Sequence, residues 1–153
     1  MSSTVSCAVT NDASVFAARS MLRPFAAEIG FEREVIEELV VVVSELASNI
    51  LKYGQKGRIE LARIDREEGT RGISITARDQ APPFDLLMSL RDGYDSQGKL
   101  DPARVYGRGG IAAGLGAVYR LSDAVELVPH DVGKSIVVRR FLGRPRRGSS
   151  PGF

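Results

Sequence analysis

The sequence predicts an α+β fold, a two-layer sandwich with a mostly antiparallel sheet and helices on one of its faces. Three observations carry that prediction. Two long stretches of helical periodicity, Ala13 to Ile29 and Glu32 to Tyr53, follow one another near the start. Two alternating stretches, Arg58 to Ile64 and Gly72 to Arg78, are joined by the polar turn Arg66-Glu-Glu-Gly-Thr-Arg71 and read as a hairpin. The full order, β-α-α-β-β-loop-α-β-β, lacks the strict strand–helix alternation of a parallel sheet.

Taken in chain order, Thr4 to Thr10 is β-branched and partly alternating, which predicts a first strand. Asn11-Asp12 offers a helix cap, and Val15, Phe16, Met21, Leu22 and Phe25 give the first helix an apolar stripe. Pro24 is expected to bend or divide this helix, because proline lacks the backbone donor. Gly30 ends it. The second helix closes at Gly54, and its centre, Leu39-Val-Val-Val-Val43, is apolar on nearly every side, which predicts burial. Pro82-Pro83 breaks the chain after the hairpin. A short helix is expected at Asp85 to Leu90, and residues 91 to 110 are polar and glycine-rich with little periodicity, the mark of a functional lid. Helix resumes over Ala112 to Leu121, and strands are expected at Ala124 to Val128 and Ser135 to Phe141.

Length and composition narrow the chemistry. The 153 residues, 43% hydrophobic and 26% charged, suit one domain over residues 1–142 and a flexible basic tail over 143–153. Formal charge is +2, but Arg144, Arg146 and Arg147 lie in that tail. Without those three of the 21 basic residues, 18 face 19 acidic ones, so the body is near neutral and a nucleic-acid surface is not expected. No apolar run approaches the roughly 20 residues that cross a bilayer, and Met1-Ser-Ser-Thr-Val5 lacks a secretion-signal layout. No membrane association and a cytoplasmic address are the expectations. Cys7 and His130 are each single, so disulfides, zinc clusters and a Ser-His-Asp triad have little to build on. Catalysis must run on carboxylates, amides and backbone groups.

Four segments could supply it. Glu45 and Asn49 stand one helical turn apart on a helix otherwise rich in Val, Leu, Ala and Ile, although an ordinary solvent stripe would look the same. Asp79 sits where a strand gives way to the Pro-broken turn, placed either to accept from a ligand amine or to cap the turn. Gly107-Arg-Gly-Gly-Ile-Ala-Ala-Gly-Leu-Gly116 leads into a helix, and its amides could approach an anion closely. It is neither a Walker sequence nor the start of a dinucleotide-binding unit. Gly133-Lys-Ser135 is a turn whose hydroxyl could touch a ligand or could serve only the hairpin.

Together, in this order, the four segments resemble the GHKL (Bergerat) nucleotide-binding fold shared by gyrase, Hsp90, histidine kinases and MutL. The likeness is closest to the anti-sigma factor and switch-protein serine/threonine kinases, of the RsbT and RsbW kind and nearest to the RsbT type. ELASNILKYGQKGRIEL looks like their N-box, DQAPPFD like the first glycine box, and AAGLGAVYRLSD like the second box with its helix. The resemblance spans roughly residues 5 to 141. It implies that Glu45 orients or deprotonates the attacking hydroxyl, and that Asn49 offers its side-chain oxygen to Mg²⁺. Asp79 would accept from the adenine amine of ATP. The amides of Gly107, Gly109, Gly110 and Gly114 would cradle the phosphates, and Ser135 would lie near the adenine. Arg108, by its position in the glycine cluster and not by the family pattern, could add positive charge at the phosphates.

The resemblance further implies an STAS-domain anti-sigma antagonist as phosphoacceptor in a stressosome-type pathway. A sigma factor or a PP2C-type phosphatase is an alternative partner, for a chain acting as an anti-sigma factor or as a regulator without turnover. A homodimer is also compatible with it. The chain departs from the family pattern at Ala81 and Pro83, where glycine is frequent, and at Ile111-Ala112 in place of Leu-Gly. Residues 99 to 106 look inserted.

Overall fold

The computed structural model describes residues 4–66, 68–83, 94–95, 98–99 and 111–143. Strand β1 (Thr4–Val9) leads into helix α1 (Asp12–Ile29), capped by a reciprocal pair: Asn11 Oδ1 accepts from the Ser14 amide at 3.0 Å, and Ser14 Oγ accepts from the Asn11 amide at 3.3 Å. Of the two outcomes expected at Pro24, division does not occur: α1 runs through it as one element. Packing decides the matter. Leu22, Phe25, Ala26 and Ile29, on either side of the proline, are all buried, and their burial outweighs one missing backbone bond.

Helix α2 (Arg33–Tyr53) ends at Gly54, whose amide donates to the Ile50 carbonyl at 2.9 Å. The valine run is less uniform than expected: Leu39, Val42 and Val43 are fully buried, whereas Val41 is 42% exposed. An apolar residue turned away from the sheet simply stays in solvent. The hairpin of β2 (Gly57–Asp65) and β3 (Arg71–Asp79) follows as expected. Beyond it, β4 (Tyr94–Asp95) and β5 (Gly98–Lys99) form a two-residue antiparallel pair within the stretch expected to lack regular structure. Helix α3 (Ile111–Arg120), β6 (Ala124–Pro129) and β7 (Lys134–Phe141) complete the chain. The expected helix at 85–90, most of the lid and nearly all of the tail lie outside the described residues.

The main sheet has the order β1-β2-β3-β7-β6, with every ladder antiparallel. Its helix-facing positions, including Ile59, Leu61, Ile73, Ile75, Ile136 and Val138, pack with Leu22, Leu39, Leu46 and Val118 in one core. The opposite positions are polar and more open, among them Arg58, Glu60 and Arg78. This is the expected arrangement of helices on a single face. Its consequence for function is topological. β3 is central, and β7, last in the chain, pairs directly with it, so the ends of these two strands meet under the C-terminal half of α2.

Candidate functional site

At that junction lies a hollow of about 280 Å³. Leu46 and Ile50 of α2, Ala77 of β3 and Ile136 of β7 give it apolar walls, and the Ala81-Pro82-Pro83 turn forms one edge. Among the described residues, four polar side chains line it: Asn49, Tyr53, Asp79 and Lys134. A mostly apolar cleft with a few converging polar groups is the common form of a small-molecule site, and this one is at the small end of the range.

Each polar group is placed by its element. Asn49 is 9% exposed, and its Nδ2 is buried without a hydrogen-bond partner among the described residues. A donor so placed costs roughly 1–3 kcal/mol unless a ligand or another group meets it. Asp79 ends β3, and its Oδ1 accepts both the Ala81 amide at 2.7 Å and Lys134 Nζ at 2.8 Å. The first bond is the turn-capping contact anticipated for this residue. The same carboxylate therefore caps the turn and faces the hollow. Lys134 is the Cα partner of Asp79 across the β3–β7 ladder, and the two side chains are 6% and 8% exposed.

Two glycines make room for this. A Cβ on Gly54 would stand 3.0 Å from both Cγ and Oδ2 of Asp79. Gly133 has φ +92°, and a Cβ there would stand 2.0 Å from the Asp79 carbonyl oxygen. Only glycine permits that backbone contact, which presses the β6–β7 turn against the end of β3.

A model of the histidine kinase-like ATPase domain matches residues 8–140. The chain belongs to that family. The GHKL resemblance in the sequence is thereby confirmed. Among curated relatives, the serine/threonine-protein kinase RsbT of Bacillus subtilis (strain 168) is 33% identical over 114 residues, 74% of this chain and 77% of the relative. Among solved structures, the crystal structure of the SiaB–SiaC complex from Pseudomonas aeruginosa contains a chain matching at 14% identity and a TM-score of 0.49. That match covers 90% of this chain and 89% of the other.

In this ATPase-family fold, two of the residues singled out in the sequence, Asn49 and Asp79, come together in one hollow. Glu45, one turn before Asn49, is half-buried and is not part of the lining. Gly107, Arg108, Gly109 and Gly110 lie outside the described residues, and Gly114 falls within α3.

Ser135 departs from expectation. Side chains alternate along β7, so with Lys134 and Ile136 turned to the hollow, Ser135 turns to the other face. There its hydroxyl meets His130 Nε2 at 2.7 Å. Lys134 is the residue that the sequence reading missed. Strand parity could have found it: position 134 shares the side of the buried Ile136 and Val138, and position 135 does not.

Proposed function

We propose that this chain is an ATP-dependent serine/threonine protein kinase of a bacterial partner-switching pathway, phosphorylating an STAS-domain antagonist protein. The observation that carries this reading is the hollow that brings the buried Asn49 side chain and the Asp79 carboxylate together, with Asn49 Nδ2 unpartnered among the described residues. Family membership and the kinase relative support it.

In this reading the adenine enters the apolar hollow and gives its exocyclic amine to Asp79. Asn49 holds Mg²⁺ through its side-chain oxygen. One protein oxygen suffices, because this ion keeps most of its shell as water and phosphate oxygens. Bound with ATP, the ion supplies charge neutralisation at the phosphates. Gly107, Gly109, Gly110 and Gly114 donate backbone amides to the phosphates, with Arg108 beside them. Glu45 orients the attacking hydroxyl of the partner and accepts its proton. Phosphoryl transfer asks a protein mainly for alignment and charge compensation, which this inventory provides without a histidine. Among the described residues no helix is long and apolar enough to cross a membrane, which suits a protein partner met in solution.

Labelled ATP mixed with the chain and an STAS-domain protein is the test. Wild type should transfer phosphate to a Ser or Thr of the partner, and Glu45→Ala should lose at least about 100-fold, the usual reach of a general base. Equal transfer by both would overturn the role given to Glu45. ATP binding without any phosphoprotein would overturn the kinase reading as a whole.

A further inference from the structure

The ion pair on the wall of the hollow goes beyond the roles just assigned. Asp79 and Lys134 are 55 positions apart in sequence yet directly opposite across two strands, with Nζ and Oδ1 2.8 Å apart. Oδ1 also takes the Ala81 amide at 2.7 Å. One carboxylate oxygen is thus held twice. The other, Oδ2, lies beside Gly54, where any larger residue would crowd it. An ammonium buried this deeply requires a counter-ion. Yet a buried pair is weak evidence for a stabilising role, since apolar side chains of similar volume do as well or better. This pair lines a cavity in place of such side chains.

We infer that Lys134 is a positioning residue for nucleobase selection: it fixes the Asp79 carboxylate so that Oδ2 alone is presented to the base, as an acceptor only. An ion-paired carboxylate accepts and does not donate. It therefore favours a base that offers an exocyclic amine at that point, and it opposes a base that offers a carbonyl oxygen there, because two acceptors face each other. Without Lys134, Oδ1 keeps only the Ala81 amide and the carboxyl group can turn, so Oδ2 is no longer held toward the base and the preference for an amine over a carbonyl oxygen weakens. Lys134 acts on selectivity through Asp79, not by contact with the reacting phosphate. The inference rests on the nucleotide reading given above.

The test compares ATP with ITP, which carries a carbonyl oxygen in place of the adenine amine, by calorimetric titration with Mg²⁺ present. Wild type should prefer ATP by tenfold or more, the order expected when one hydrogen bond to a charged group is replaced by an acceptor–acceptor clash. Lys134→Met should bring the two nucleotides to within about threefold. Should the methionine variant fail to fold, Lys134→Leu, which likewise offers Oδ1 no donor, is read in the same way. A purely structural role would weaken both nucleotides alike and leave their ratio at the wild-type value, and that result overturns the inference while the nucleotide site stands. Absence of ATP binding by wild type removes both.

Discussion

Asn49 and Gly133 make opposite demands on the same site. Asn49 buries an amide donor that no described residue satisfies, so the folded chain bears its cost. Asn49→Ala should therefore leave the thermal midpoint unchanged or raise it by a few degrees, while phosphotransfer falls at least about 100-fold. Calorimetry and the labelled-ATP assay on one preparation separate the two effects. Gly133 contributes the contrary case. Its positive φ and its contact with the Asp79 carbonyl leave no space for a methyl group. Gly133→Ala should destabilise by about 1–3 kcal/mol in urea titration and should weaken ATP as well, since the displaced strand end carries Asp79 and Lys134.

The helices hold this geometry through their ends and their mutual contact. The Asn11–Ser14 capping box starts α1, and Asn11→Ala should cost about 1 kcal/mol in urea unfolding. Farther along, Arg19 Nε donates to Ser44 Oγ at 2.7 Å, and Arg23 pairs with Glu37, fixing α1 against α2. Arg23 holds the Glu37 carboxyl below the usual carboxylate range, chiefly by its hydrogen bond, with the charges of Arg23 and Arg33 adding to it. A lowered folded-state value stabilises above the unfolded value and loses that effect as pH falls through the folded one. Glu37→Gln should thus be less stable than wild type near pH 7, and the gap should close in acid below about pH 4. A gap that persisted there would rule out this linkage.

Such elements were largely readable in advance. Both long helices, the hairpin and the last two strands follow from periodicity, and Gly30 and Gly54 mark the helix ends. Pro24 does not divide α1, because the local rule against proline competes with tertiary burial, which sequence spacing does not weigh. Val41 was misread because a run of valines hides which side faces the sheet.

The sheet order explains what stayed hidden. Asn49 and Asp79 could be picked out by residue type, but their shared hollow depends on α2 lying over the β3–β7 ladder. That ladder joins distant parts of the chain. Strand parity marks Lys134 as core-facing, but its pairing with Asp79 stayed hidden, since no local pattern states which strand β7 will join. Ser135 was favoured on residue type, and strand alternation turned it away. Bringing the last long strand next to the central one is thus what makes an ordinary hairpin turn part of the wall of the hollow.

A crystal structure of the chain with Mg²⁺ and a non-hydrolysable ATP analogue would decide the matter. The base should lie between Leu46, Ile50 and Ile136, with its exocyclic amine about 3 Å from Asp79 Oδ2 and the Asn49 side chain turned to the phosphate-bound ion. A nucleotide seated elsewhere, with the hollow still closed around the Asp79–Lys134 pair, would contradict the proposed site.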